Sequence, residues 1–286
     1  MTNLLEKNIL ILDGATGTEL RRAGMPIGVC TEQWVLENPN ALISLQRAYA
    51  DAGSDIVYAP TFGLNRISLR SHGVGDADIR DWALKLVGFS REAVGGRCLI
   101  GGDIAPTGAL PIPDGDITRE DLIGVFAEQA EALENAGVDF FAVETQMSVY
   151  EAEAAVSAVQ SVSRKPILIS FTVTDIGRTI CGDRLTDALE VFQAMGVVGF
   201  GINCCGDLNL LMELLAELQP GASIPLIAKP NAGRPKPMPG GDGYDMTPDE
   251  LVAYVPRFTA AGARYIGGCC GTDPTHIKAI ANNLRS

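Results

Sequence analysis

The chain has 286 residues, 47% hydrophobic and 20% charged, with a formal net charge of −13. That composition supplies a large apolar core, and the acidic balance argues against nucleic acid, whose phosphates such a surface repels. No apolar run approaches the ~18 residues of a membrane span, and the N-terminus MTNLLEKNILILDG lacks the basic-then-apolar order of a signal peptide, so a cytoplasmic chain with no membrane partner is expected.

Eight short segments read as strands: NILILD (Asn8–Asp13), DIVYAP (Asp55–Pro60), RCLIGGD (Arg97–Asp103), DFFAVET (Asp139–Thr145), PILISFT (Pro166–Thr172), GFGINC (Gly199–Cys204), PLIAKP (Pro225–Pro230) and RYIGG (Arg264–Gly268). They are rich in Ile, Val, Leu and Phe without polar alternation, the pattern of strands buried on both faces of a parallel sheet. Helical patterns fill the gaps, at residues 38–53, 77–94, 118–137, 148–162, 185–196, 208–218, 247–262 and 273–286. Thr118 and Thr247 sit where N-caps belong, and Pro256 predicts a kink in the seventh of these helices. Eight strand–helix repeats predict an α/β protein, a single-domain (β/α)8 TIM-type barrel over residues 1–286, with a doubly wound open sheet as the alternative. The Gly/Pro-rich stretch Asn231–Asp245 reads as a long functional loop after the seventh strand.

Active sites of such barrels lie at the C-terminal strand ends. In order these are Asp13-Gly14, Thr61-Phe62, Asp103, Glu144-Thr145, Ser170–Thr172, Asn203-Cys204-Cys205, Lys229-Pro230-Asn231 and Gly268-Cys269-Cys270. Of seven cysteines, two adjacent pairs fall at these ends, while Cys30, Cys98 and Cys181 do not. The sixth and eighth strand ends face one mouth of a closed barrel, so three or four thiolates converge there, a donor set that selects zinc. Gly267-Gly268 and Gly271 allow the chain to bend so that neighbouring cysteines reach one ion. The competing reading is that these cysteines pack as small hydrophobes and bind no metal. Three thiolates leave one position open, a poor arrangement for hydrolysis and a good one for activating a substrate thiol toward alkyl transfer.

Seven stretches then resemble motifs of the homocysteine S-methyltransferase family, in family order over nearly the whole chain: DGATGTEL (Asp13–Leu20), APTFGLNR (Ala59–Arg66), GDIAPTG (Gly102–Gly108), the Glu144 strand end, GINC (Gly201–Cys204), KPNAGRP (Lys229–Pro235) and GGCCGT (Gly267–Thr272). The likeness is greatest to the N-terminal homocysteine-binding module of cobalamin-dependent methionine synthases. It implies the (β/α)8 barrel and zinc held by Cys204, Cys269 and Cys270, with Cys205 left as a packing or supporting residue. It also implies homocysteine contacts at Asp13, Gly14, Ala15, Thr61, Glu144 and Asn203: the backbone of residues 13–15 toward the carboxylate, Glu144 toward the ammonium, and Asp13 positioning the substrate. Where relatives carry TNTFG this chain has APTFG, so Pro60 stands in place of an asparagine.

The expectation is therefore an S-methyltransferase that makes methionine by methyl transfer to a zinc-bound homocysteine thiolate. The donor is a methylcorrinoid, with methylcobalamin carried on a partner protein, or a small onium compound of the S-methylmethionine or betaine type. The alternatives are a related zinc methyltransferase that uses another thiol or methylates a corrinoid carrier, and a non-enzymatic zinc-binding barrel. Cys98 reads as core strand, and Trp34 and Trp82 as packing. His72 sits in a polar loop and His276 in the first turn of the last helix, facing solvent; neither reads as a ligand.

Overall fold

All eight apolar segments form strands in the computed structural model, which describes residues 8–109, 115–238 and 241–285. Residues 1–7 of the stretch read for a signal peptide lie outside the described residues, as do Pro239 and Gly240 of the long loop. The strands are β1 (Leu10–Ile11), β2 (Ile56–Tyr58), β3 (Leu99–Ile104), β4 (Phe140–Gln146), β5 (Ile167–Phe171), β6 (Gly199–Asn203) and β7 (Leu226–Lys229). A small antiparallel hairpin, β8 (Lys236–Met238) with β9 (Gly241–Gly243), follows inside the long loop, and β10 (Ala263–Ile266) is the eighth barrel strand.

The strands are parallel in the order β1-β10-β7-β6-β5-β4-β3-β2. The two ends of that ladder are joined through an unusual seam. Asp55 N–H donates to Ile11 O (2.7 Å), Asp55 Oδ2 accepts from Ile11 N–H (2.9 Å), and Asp13 Oδ2 accepts from Tyr58 N–H (2.8 Å). Carboxylates thus take the place of backbone carbonyls where the short β1 would otherwise leave buried N–H groups unpaired.

Every strand is buried on both faces because the sheet separates two cores. Leu10, Leu12, Ile56, Tyr58, Phe140, Ala142, Leu168, Ile227 and Tyr265 form a cluster within the barrel. Their alternates, among them Ile11, Val57, Ile100, Phe141, Val143, Ile169, Phe200, Ile202 and Ala228, pack outward with helical residues. Successive side chains on a strand point oppositely, so one pattern of unbroken apolar residues serves both cores. A Cβ on Gly101 would lie 2.4 Å from the Phe140 ring, so that inward position must stay empty for the neighbouring aromatic to fit.

The helices are α1 (Gly17–Arg22), α2 (Thr31–Glu37), α3 (Pro39–Ala52), α4 (Arg66–Ser71), α5 (Ile79–Val94), α6 (Arg119–Ala136), α7 (Val149–Val162), α8 (Leu185–Ala194), α9 (Leu208–Leu218), α10 (Pro248–Val252), α11 (Val255–Ala260) and α12 (Pro274–Arg285). Thr118 and Thr247 both make capping boxes, with Asp121 and Glu250. Pro256 does more than kink its helix. The run divides into α10 and α11, with the proline in the first turn of the second, because it lacks an N–H and its ring collides with the carbonyl four residues back. Among the described residues no helix is long and apolar enough to cross a membrane.

Candidate active site

The residues in phase with the inner core turn polar at the top of the barrel. Above Gly101 stands Asp103, above Ala142 Glu144, above Leu168 Ser170, above Gly201 Asn203, and above Ile227 Lys229. These five inward positions, with Asp13, form the floor and wall of a cavity region of about 390 Å³ at the C-terminal strand ends. Asp13, Gly14, Ala15, Asp103, Glu144, Lys229 and all three of Cys204, Cys269 and Cys270 line that cavity.

The sulfur side is positioned by main chain. Cys204 N–H donates to Lys229 O (3.1 Å), Cys269 N–H to Pro230 O (2.7 Å), and Ala232 N–H to Cys270 O (2.9 Å). Thr272 Oγ1 donates to Cys269 O (2.7 Å) and closes the turn. Gly271 adopts φ +81°, and a Cβ there would lie 2.3 Å from Tyr244, so the turn after the paired cysteines requires glycine twice over. Cys204 itself has φ 56° and Thr145 has φ 58°, left-handed conformations that cost a non-glycine residue roughly 1–3 kcal/mol. Asn203 holds Thr145 in that state: its Oδ1 accepts from Thr145 N–H (2.9 Å) and Ser170 Oγ (2.9 Å), and its Nδ2 donates to Thr145 Oγ1 (2.7 Å).

The ligand atoms of Cys204, Cys269 and Cys270 lie within 4.8 Å of one another, and the Cys204 and Cys270 sulfurs are 3.8 Å apart. Hydrogen bonds from Cys204 and Cys269 hold the Cys270 thiol down at about 3, while the same contacts drive Cys204 far above its ordinary value. Three sulfurs at this spacing fit one soft or borderline divalent ion. Cys205 turns away into the core, with its Sγ on Asp207 O (3.3 Å). Cys98 is buried beside β3 with its thiol on Ser54 O (3.1 Å), and Cys181 is exposed. Cys30 is buried against Glu32, and burial pushes its thiol up to about 12.

The opposite side is a set of buried charges. Lys229 Nζ lies 3.3 Å from Asp13 Oδ1 and 3.4 Å from Glu144 Oε2, and 3.8 Å from the centroid of the Tyr58 ring. Burial alone would lower the Lys229 ammonium, but Glu144 and Asp13 overrule it and hold it well above its ordinary value. Burial raises Asp13, and it raises Glu144 to about 7 despite the Lys229 charge.

Some expected site residues stand apart from the cavity lining. Thr61 Oγ1 bridges the Asp103 backbone, with 3.0 Å to both its O and its N, and Asn203 acts behind Thr145. The Ala15 N–H is engaged by Thr272 Oγ1 (3.2 Å). A Cβ on Gly14 would lie 2.7 Å from Tyr49 OH and 2.9 Å from Thr272 Oγ1, so the β1 end packs directly against the cysteine turn. His276 is a correction: it is buried, with Nδ1 at 2.9 Å from Asp273 Oδ1 and Nε2 at 2.9 Å from Met246 O, tying α12 to the segment before α10. Its imidazole fastens two loops, which a reading of helix phase alone does not foresee. Trp34 and Trp82 pack against the core, and His72 lines the outer cavity. Asp103 and Lys229 are the residues to which sequence reasoning gave no role. Their signal was the period of two counted up from Gly101 and Ile227.

A family model described as homocysteine S-methyltransferase matches residues 10–284. The methionine synthases of Mycobacterium leprae (strain TN) and Mycobacterium tuberculosis (strain ATCC 25618 / H37Rv) are 30% and 29% identical over 301 and 299 residues. Each alignment covers 98% of this chain and 25% of the relative, so the chain spans about a quarter of their length. The crystal structure of the metallated form of homocysteine methyltransferase MmuM from Escherichia coli superposes with a TM-score of 0.83 at 28% identity, covering 99% of this chain and 98% of that one. The carboxyl transferase domain of Rhizobium etli pyruvate carboxylase, at 13% identity and TM-score 0.54, shares the fold alone.

Proposed function

We propose, from the premise that this chain belongs to the homocysteine S-methyltransferase family and is a methyltransferase, that its residues 1–286 form one homocysteine-binding barrel that makes methionine with the help of zinc. The observation that carries the reading is the convergence of Cys204, Cys269 and Cys270 on one point beside a charged pocket. Those three residues would hold the ion, which when bound supplies the acidity that keeps a substrate thiol deprotonated at neutral pH.

The rest is binding and orientation. Glu144 accepts from the substrate ammonium, and the backbone at Asp13, Gly14 and Ala15 faces its carboxylate. Asp13, held by Tyr58 N–H and Lys229, fixes the end of β1 on which that backbone depends. Asn203 and Thr61 act from behind, the first through the Thr145 turn and the second through the end of β3. The sulfur then attacks the donor methyl carbon in line. An S–C bond forms as the bond to the leaving group breaks, and that group keeps the electron pair. Alignment of the two reactants is the main contribution of the protein.

A methylcorrinoid, with methylcobalamin on a partner protein, suits the cavity better than a small onium donor. Among the described residues the aromatic rings lining it are Tyr58 and Phe62, and Lys229 already covers the first, so no aromatic cage surrounds a bare onium methyl group. Zinc X-ray absorption with and without homocysteine tests the central claim. The expected result is about three sulfur ligands, rising to four with homocysteine; a shell unchanged by homocysteine would remove the mechanism. A screen of methylated corrinoid protein against S-methylmethionine and betaine then decides the donor.

A further inference from the structure

The structure carries five buried carboxyl side chains among its described residues: Asp13, Glu32, Asp103, Glu144 and Glu151. Four have protein partners. Asp13 accepts from Tyr58 N–H and Lys229, Glu144 from Lys229, Glu32 from Gly63 N–H, and Glu151 from Thr107 N–H and Oγ1. Asp103 is the exception. It is 6% exposed, and its Oδ1 is buried with no hydrogen-bond partner. Of the buried side-chain atoms left without a partner, this is the one carboxylate oxygen, and the one whose residue lines the cavity.

An unpaired buried polar atom costs roughly 1–3 kcal/mol, so one kept at a binding site asks for a ligand. The backbone beneath Asp103 is fixed with unusual care. Its N–H donates to Thr61 Oγ1 (3.0 Å), and its carbonyl accepts from Thr61 Oγ1 (3.0 Å) and Gln129 Nε2 (3.2 Å). These bonds hold the end of β3 so that the side chain projects inward, one strand from Glu144. Ala142, its register partner on β4, lies directly below Glu144 on the same face. Meanwhile Lys229 already takes part of the Glu144 charge and one oxygen of Asp13, whose other oxygen holds the barrel seam. A substrate ammonium therefore finds Glu144 shared and Asp13 committed, and Asp103 open.

We infer that Asp103 is a second acceptor for the substrate ammonium, acting with Glu144 to position the amino acid and to select it over thiols that lack an amino group. This rests on the homocysteine reading above. Three carboxyl groups against one lysine leave the pocket with surplus negative charge, which an ammonium with three N–H donors offsets. Asp103 touches the substrate's amino end, away from the sulfur, so its role is positioning.

The test compares zinc-loaded wild-type protein with D103A and D103N, by calorimetric titration with homocysteine and with 4-mercaptobutanoate, the same thiol acid without the amino group. Thermal melting of the ligand-free proteins is the control. The ratio of the two affinities is expected to fall about tenfold or more in D103A, and by a smaller factor in D103N, which keeps one acceptor oxygen but loses the charge. Affinity for 4-mercaptobutanoate and the melting temperature should hold or rise, since no protein contact of the carboxyl is lost. Unchanged ratios in both variants overturn the inference, as does an equal loss for both ligands. D103N decides alone if D103A does not fold. Wild-type protein that fails to bind homocysteine would bring down the methyltransferase reading and this inference together, whereas normal wild-type binding with insensitive variants removes only the role of Asp103.

Discussion

The sulfur side and the carboxylate side of the cavity are built in opposite ways. Cys204, Cys269 and Cys270 sit past the ends of their strands, in turns held by backbone hydrogen bonds, glycine and a left-handed residue. Asp103, Glu144 and Lys229 sit within or at the end of regular strands, placed by the same alternation that fills the barrel core. The first side fixes geometry through main chain and leaves the side chains free for an ion. The second fixes geometry through the sheet and keeps its charges tolerable by mutual pairing. Chemistry that needs adjacent residues on one centre must leave the strand, whereas single groups aimed inward can remain in it.

The contrast is tested most strongly at the cysteines. C204S or C269S should lose stoichiometric zinc by elemental analysis. Activity should fall beyond the roughly 10–100-fold that follows loss of a mere supporting contact. C205A should keep its zinc, because that thiol faces the core; loss of metal from C205A would end the distinction between the pairs. On the other side, K229M strands Asp13 and Glu144 without their cation. Removing one partner of a buried pair is expected to cost about 3 kcal/mol or more in urea denaturation, with zinc binding intact in whatever protein folds. If K229M is as stable as wild type, charge pairing does not hold that wall.

A smaller effect belongs to the turn. G271A should cost about 1–2 kcal/mol for its left-handed backbone alone, and more from the collision with Tyr244. It should weaken zinc affinity without changing the Kd for a sulfur-free amino acid such as 2-aminobutanoate. The smallest signal is a pH dependence. Glu144 is raised from the ordinary carboxyl value of 4.5 to about 7, chiefly by burial. Its contribution to the stability of metal-free protein is therefore full below about pH 4.5 and lost as pH rises through about 7. Melting temperatures across that window should fall less in E144Q than in wild type. Binding of the ammonium has the opposite sign, because it needs the ionised carboxylate, and should strengthen over the same window in wild type only.

What the sequence by itself determined was whatever local pattern encodes. Eight apolar runs of strand length, separated by capped amphipathic helices, left little but a (β/α)8 barrel, because strands buried on both faces need helices outside. The paired cysteines between glycines were legible for a related reason: a metal turn is written in consecutive residues. Tertiary structure alone decided the rest. Helix spacing around Pro256 predicted a bend, and only the packed chain showed a break into α10 and α11. His276 lay in a first turn that reads as solvent-exposed, and its burial depends on Met246, thirty residues away. The seam through Asp13 and Asp55 depends on how many residues β1 spends in regular pairing. Above all, the roles of Asp103 and Lys229 were hidden. Strands apolar on both faces give no alternation from which to tell inward from outward, and an acid's partners, or its lack of one, exist only once four strands have met.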